Sequence, residues 1–131
     1  MKIGCTSGYY NPVHSGHIKL FEEAKKLCDY LVVIVNNDEQ VKLKGSKVFM
    51  DENERVNIVK AIRYVDKVIL SIDKDRTIKE TLKKINPDVF IKGGDSIPEN
   101  TPELELCESL GINVIFNVGG DKIQSSSWLK K

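Results

Sequence analysis

The sequence predicts an α/β fold in which a parallel sheet of five strands carries helices on both faces. Strand-like and helix-like patterns alternate along all 131 residues, and no repeat or Pro/Gly-rich linker interrupts them. One run, Tyr30–Val35, is continuously apolar, as expected for a strand that is buried on both faces. Such alternation produces parallel strands joined by right-handed crossovers. The length predicts a single domain, residues 1–131.

Five apolar segments are predicted to form the strands. In chain order they are Lys2–Thr6, Tyr30–Val35, Asp66–Leu70, Val89–Ile91 and Ile112–Val118. Each is followed by polar or glycine-containing residues, which indicate that the strands end there.

Helical spacing and capping signals predict the segments between the strands. The first helix is predicted over Ser15–Leu27, and the polar, lysine-rich segment Glu39–Phe49 is predicted to be a mobile loop. Gly111 is predicted to end the helix before the fifth strand, and a last short helical piece is predicted at Trp128. The start signals of the other helices are Asp51 with Glu54, Thr77 with Glu80, and Thr101 before Pro102.

Composition excludes several classes of protein. The net charge of +1 gives no argument for nucleic acid or a membrane as a partner. There is no long apolar run and no signal-peptide pattern, so the protein is predicted to be cytoplasmic. The three cysteines lack the spacing of a disulfide framework or a zinc site. No GxGxxG follows the first strand, which argues against a dinucleotide dehydrogenase.

The turn between the first strand and the first helix carries both histidines of the chain, His14 and His17. Ligands of open α/β sheets bind at the carboxyl ends of the strands. A helix start there adds free N–H groups and positive potential, which favour phosphate. The sequence therefore predicts a phosphate-binding site at this turn.

The run His14-Ser15-Gly16-His17, preceded by Gly8-Tyr9-Tyr10-Asn11, resembles the HxGH signature of the cytidylyltransferase-like nucleotidyltransferases. The resemblance implies a Rossmann-like sheet with strand order 3-2-1-4-5. Residues 14–69 look like glycerol-3-phosphate cytidylyltransferases. The later part looks like heptose-1-phosphate adenylyltransferases, which share Lys-Gly-Gly-Asp after the fourth strand and a serine/threonine run near the end.

That resemblance implies a role for each candidate residue. His14, His17 and Lys44 are the predicted catalytic residues. Asn11, Arg55 and Arg63 are predicted to bind the acceptor or its phosphate. The predicted nucleotide-binding residues are Ser7, Gly8, Tyr9, Tyr10, Gly16, Lys92, Gly94, Asp95, Gln124, Ser125, Ser126 and Ser127.

The implied reaction is direct displacement at the α-phosphorus of a nucleoside triphosphate by a phosphate oxygen of a small metabolite. Pyrophosphate leaves, Mg²⁺ balances the triphosphate charge, and the enzyme is expected to be a homodimer. ATP is slightly favoured over CTP, with a sugar 1-phosphate as the acceptor. The stretch Gly120–Gln124 lacks the arginine that the cytidylyltransferases carry, and Asn11 replaces their usual aspartate.

Two alternatives stay open at this stage. One is a CTP-dependent enzyme that acts on glycerol 3-phosphate or another polyol or amino-alcohol phosphate. The other, from a different class, is a nucleotide-binding module without catalysis. Intact His14, His17 and Lys44 argue against the second alternative.

Overall fold

A sheet with the order β3-β2-β1-β4-β5-β6 forms the centre of the molecule. The computed structural model describes residues 1–94 and 96–119, together with the backbone of residues 124–125. The parallel strands are β1 (Ile3–Gly8), β2 (Tyr30–Val35), β3 (Lys67–Leu70), β4 (Val89–Gly93) and β5 (Asn113–Val118). The predicted order 3-2-1-4-5 is confirmed. A short strand, β6 (Gln124–Ser125), adds to β5 in the antiparallel direction.

Helices cover both faces of this sheet, as predicted. On one face α1 (Ser15–Lys25) and α3 (Glu52–Lys60) cover a buried cluster that includes Phe21, Val33 and Val59. On the other face α4 (Lys79–Ile85) and α5 (Leu104–Leu110) cover a second cluster of apolar residues. Across the described residues, none of the helices has the length and apolar character needed to span a bilayer.

The segment predicted as a mobile loop, Glu39–Phe49, begins as a helix, so that prediction was wrong for its first part. Helix α2 spans Asp38–Leu43. Asn37 caps it by accepting a hydrogen bond from the Gln40 N–H at 2.9 Å, while the Gln40 Oε1 accepts one from the Asn37 N–H at 3.0 Å. This reciprocal capping box stabilises a helix that is too short to show apolar periodicity.

Two predicted helix starts are also wrong. The N-cap of α4 is Ile78 and not Thr77, whose hydroxyl donates to Asp75 and accepts from the Lys79 N–H at 3.4 Å. The buried Asp73 accepts hydrogen bonds from the N–H groups of Glu80 and Thr81. Thr101 does not cap α5, which begins at Leu104 after a short 3₁₀ helix at Pro98–Asn100. The predicted cap at Asp51 and the stop at Gly111 are confirmed.

Arg55 occupies the interior of the molecule, with an exposed fraction of 0%. Its guanidinium donates to the backbone oxygens of Tyr9, Asn36 and Met50 at 2.6–2.9 Å. It also pairs with the Asp38 carboxylate at 2.7 Å. The prediction that Arg55 binds phosphate is therefore corrected, because in this structure its donors bind the protein itself.

Replacing Arg55 with methionine is expected to lower the free energy of unfolding by about 3–5 kcal/mol, since it leaves a carboxylate and three carbonyl groups without their donor. Urea unfolding measures this loss. Arg63 lies just after α3 and is exposed, so the same substitution there is the control. Arg63→Met is expected to change the free energy of unfolding by less than about 0.5 kcal/mol. Equal stabilities of the two variants would contradict a structural role for Arg55.

Candidate active site

Two adjoining cavities open where the parallel strands end. The first has a volume of about 630 Å³ and lies between the turn after β1 and the residues that follow β2. The second has a volume of about 510 Å³ and lies beside the ends of β1, β2 and β4. Gly8 and Tyr9 line both cavities, so the end of β1 forms the wall between them.

His14 and His17 line the first cavity, and the helix start holds both rings. The Gly16 N–H donates to the Nδ1 of His14 at 3.1 Å, and the His14 N–H donates to the Nδ1 of His17 at 3.0 Å. The two rings stack with their centroids 3.8 Å apart. Because each Nδ1 accepts a hydrogen bond, a neutral ring carries its hydrogen on Nε2. The capping bonds therefore select the tautomer of both histidines.

Two glycines provide the space that this turn needs. A Cβ atom at Gly16 would lie 2.9 Å from the Cε1 of His14, and one at Gly8 would lie 2.7 Å from the Cζ of Tyr10. Any side chain at either position would displace an aromatic ring. The glycine of the HxGH run thus allows the first histidine to fold over the helix start.

Tyr10 supports the second histidine. Its side chain is 2% exposed, and its ring contacts His17 edge to face at a centroid distance of 5.0 Å. Burial raises the pKa of its hydroxyl, which lacks a hydrogen-bond partner among the described residues. Tyr10 was predicted to bind nucleotide; it lines the first cavity, and its side chain packs in the apolar core against the His17 ring.

His17 stays uncharged at neutral pH. Burial, and secondly the neighbouring His14, lowers its pKa from 6.5 to about 4. The neutral form keeps the Nδ1 lone pair that accepts from the His14 N–H. The ring is therefore a hydrogen-bond donor through Nε2 rather than a cation.

Lysines line the opposite side of the first cavity. Lys44 follows the end of α2, and its Nζ lies 4.3 Å from the centroid of the Tyr9 ring. Lys47 and Ser46 line the same cavity and are exposed. Two exposed ammonium groups opposite two imidazole rings form a site that favours a polyanion.

The second cavity brings together residues from five segments. Its charged side chains are Arg76, Lys92 and Glu103. Burial lowers the pKa of Lys92, and the nearby Glu103 opposes this effect. The Glu103 carboxylate also accepts a hydrogen bond from the Ile78 N–H at 3.1 Å. The Gln40 Nε2 donates to the carbonyl groups of Asp75 and Thr77, which lie on either side of Arg76.

The predicted site residues divide into several groups. Seven of them line the first cavity together: Gly8, Tyr9, Tyr10, Asn11, His14, His17 and Lys44. Ser7 and Lys92 line the second cavity. Gly16 lies beside His14, whereas the exposed Arg63 and Gly94 line neither cavity. Asp95, Ser126 and Ser127 lie outside the described residues, and of Gln124 and Ser125 only the backbone is described, as β6.

Sequence reasoning missed several residues of the second cavity, namely Arg76, Thr77, Asn100 and Glu103. A usable signal was present, because the charged segment Asp73–Arg76 follows β3. The loops after parallel strands meet at one edge of a sheet. The segment after β3 is therefore expected at the same edge as the loops after β1 and β4.

Relatives of known sequence and structure match most of the chain. A FAD synthase from Picrophilus torridus is 33% identical over all of this chain and 94% of its own length. The bifunctional protein HldE from Hyphomonas neptunium is 37% identical over 88% of this chain, which spans about a quarter (24%) of that relative's length. The crystal structure of a lipopolysaccharide core biosynthesis protein from Thermoplasma volcanium superimposes with a TM-score of 0.79 at 27% identity. That match covers 93% of this chain and 99% of the other.

The cytidylyltransferase-like family matches residues 5–124, which include the histidine turn and every strand that lines the two cavities. The fold, the motif and these relatives agree. The chain belongs to the cytidylyltransferase-like family of nucleotidyltransferases.

Proposed function

We propose that this protein transfers a nucleoside monophosphate, preferably from ATP, to a small phosphorylated acceptor and releases pyrophosphate. The observation that carries the proposal is the pair of histidines whose Nδ1 atoms both accept backbone hydrogen bonds. This leaves two Nε2–H donors on rings that line a cavity with Lys44 and Lys47.

The reaction is a displacement at phosphorus. An oxygen of the acceptor phosphate forms a bond to the α-phosphorus, and the bond between that phosphorus and the oxygen leading to the β-phosphorus breaks. The electron pair leaves with pyrophosphate. His14 and His17 donate hydrogen bonds to phosphate oxygens whose charge grows in the transition state. Lys44 and Lys47 attract the pyrophosphate group, so positioning and electrostatics supply the catalysis.

Magnesium enters this proposal with the nucleotide, as part of the substrate. The described residues contain no cluster of three or more histidine, cysteine or acidic side chains that could hold a metal ion. Mg²⁺ retains water readily and takes oxygen ligands. Triphosphate oxygens and water therefore suit it better than a site made from the described side chains.

The preference for ATP rests on the relatives and on the end of the chain. FAD contains an AMP unit joined to a flavin phosphate, so the FAD synthase that resembles this chain makes an adenylylated product. The stretch Gly120–Gln124 lacks the arginine of the cytidylyltransferases. Both observations favour adenylyl over cytidylyl transfer. The proposed acceptor, a sugar 1-phosphate, rests on the resemblance to heptose-1-phosphate adenylyltransferases.

The second cavity suits the acceptor, so this proposal assigns Ser7 and Lys92, which were predicted from the sequence to bind nucleotide, to the acceptor side. It shares the Gly8–Tyr9 wall with the first cavity, so a ligand there would lie next to the triphosphate. Arg76 and Lys92 supply positive charge, while Thr77, Asn100 and Glu103 supply hydrogen-bonding groups. A phosphorylated compound with several hydroxyl groups fits this lining.

The homodimer also remains part of the proposal. It rests on the resemblance, and light scattering at micromolar concentration tests it. A monomer mass would contradict it without affecting the proposed chemistry.

The pKa of His17 is expected to be about 4, because burial and the neighbouring His14 disfavour the charged ring. NMR titration of the imidazole Cε1–H resonances measures it.

The lowered pKa of His17 makes stability depend on pH. In the unfolded chain the ring binds its proton near pH 6.5. The stability contributed by neutral His17 is therefore present above about pH 6.5 and is lost as pH falls toward 4. His17→Asn, which keeps an acceptor but does not titrate there, is expected to lack this loss. A His17 midpoint near 6.5 would contradict the assignment.

Pyrophosphate release with ATP and with CTP tests the function directly. FMN, glycerol 3-phosphate and a heptose 1-phosphate serve as acceptors, and turnover with ATP is expected to exceed that with CTP. His17→Ala is expected to lower turnover by about 10²–10³-fold with a smaller change in nucleotide affinity, since one transition-state donor is lost. Tight nucleotide binding without turnover of any acceptor would favour the non-catalytic alternative.

Arg76→Met is expected to raise the KM of the acceptor that supports turnover by at least about tenfold, because a charged hydrogen bond to its phosphate is lost. The KM of the nucleotide is expected to stay within about twofold. Lys74→Met, which removes an exposed cation from the same loop, is the matched control. Equal increases in both KM values would contradict an acceptor site in the second cavity.

A further inference from the structure

Asn11 connects the histidine turn to the segment that follows α2. Its Nδ2 donates a hydrogen bond to the carbonyl oxygen of Lys47 at 2.8 Å. Its Oδ1 accepts hydrogen bonds from the N–H groups of Phe49 and Met50 at 2.9 and 3.0 Å. These bonds join parts of the chain that are 36–39 residues apart in sequence.

The neighbours of the amide determine its orientation. Phe49 and Met50 present N–H groups, which only donate, and Lys47 presents a carbonyl oxygen, which only accepts. If the amide were reversed, its NH₂ group would face the two N–H donors and its oxygen would face the Lys47 carbonyl oxygen. An ionised aspartate could accept both N–H bonds, but its second oxygen would face the Lys47 carbonyl without a hydrogen between them.

The segment that Asn11 holds forms one wall of the first cavity, where Ser46, Lys47 and Phe49 line it. Between α2 and α3 the chain forms neither a helix nor a strand. Every hydrogen bond that the structure gives for Lys47 and Phe49 is made with Asn11. The Asn11 side chain therefore joins residues 47–50 of this wall to the histidine turn. Residues 44–46 are instead hydrogen-bonded to α2 through their backbone N–H groups, and the Arg55 Nε also donates to the Met50 carbonyl oxygen.

We propose that Asn11 is a positioning residue, which holds residues 47–50, including Lys47, against the histidine turn before the nucleotide binds. This inference rests on the proposed function for its effect on the nucleotide KM. It replaces the direct phosphate contact expected from the sequence, because the polar atoms of the Asn11 side chain face the backbone of residues 47–50. The nucleotide then binds to a segment that is already ordered, so no binding free energy is lost in ordering it.

Hydrogen exchange of the free protein tests the contact without reference to activity. In Asn11→Ala the Phe49 and Met50 amides are expected to exchange at least about tenfold faster than in the parent, because their acceptor is absent. Asn11→Asp keeps this acceptor and is expected to protect both amides. Asn57→Ala, which removes an exposed asparagine on α3, is the matched control and is expected to leave both rates unchanged. Unchanged exchange in Asn11→Ala would overturn the proposal.

Steady-state kinetics test the consequence. In Asn11→Ala the nucleotide KM is expected to rise about fivefold to tenfold, while kcat stays within about threefold and the thermal melt stays near that of the parent. Asn11→Asp is expected to have a nucleotide KM between those of the parent and of Asn11→Ala. A raised KM with unchanged amide exchange would show that Asn11 contacts the nucleotide directly and would overturn the positioning role. If no acceptor supports turnover, the proposed function fails, yet the exchange experiment still decides whether Asn11 orders the segment.

Discussion

A buried cation holds together the backbone that surrounds the candidate site. The Arg55 guanidinium donates to carbonyl groups after β1, after β2 and before α3, and it pairs with Asp38 at the start of α2. The loops that follow parallel strands have few backbone hydrogen-bond partners of their own, so their carbonyl groups need donors from other parts of the chain. One side chain with five N–H groups meets that need at three places. The relative positions of the histidine turn and α2 depend on this interaction.

Within that frame, the histidine turn depends on steric fit as much as on hydrogen bonds. Tyr10 packs beneath His17 in the core, and the absence of a side chain at Gly8 leaves room for its ring. The absence of a side chain at Gly16 allows His14 to cap α1 through Nδ1. Each histidine therefore has its ring orientation and its tautomer set by local structure. The donors are in place in the free protein and need no rearrangement when a ligand arrives.

The sequence was sufficient for the strands, the histidine turn and the grouping of His14, His17 and Lys44 around one cavity, because these follow from local patterns and a known motif. The burial of Arg55 could not be predicted, since the sequence pattern around an arginine on a helix is the same whether its side chain faces solvent or three buried carbonyl groups. The prediction misassigned residues 38–43 because a helix of six residues has too few turns to show periodicity, although Asn37 and Gln40 form a recognisable capping box. Arg76 was missed because its position depends on Gln40, a contact between segments 35–37 residues apart.

The wall between the two cavities has a consequence for how each cavity can be altered. That wall is the end of β1, at Gly8 and Tyr9, and its place is set by the backbone pairing of Gly8 with β2 and by the hydrogen bond from Arg55 to the Tyr9 carbonyl oxygen. Side chains on the outer rim of the second cavity, such as Asn100 and Pro102, lie on a different segment from this wall. Substitutions at those positions can change the shape and polarity of the second cavity without displacing the histidine turn. The two cavities can therefore be altered independently by mutation.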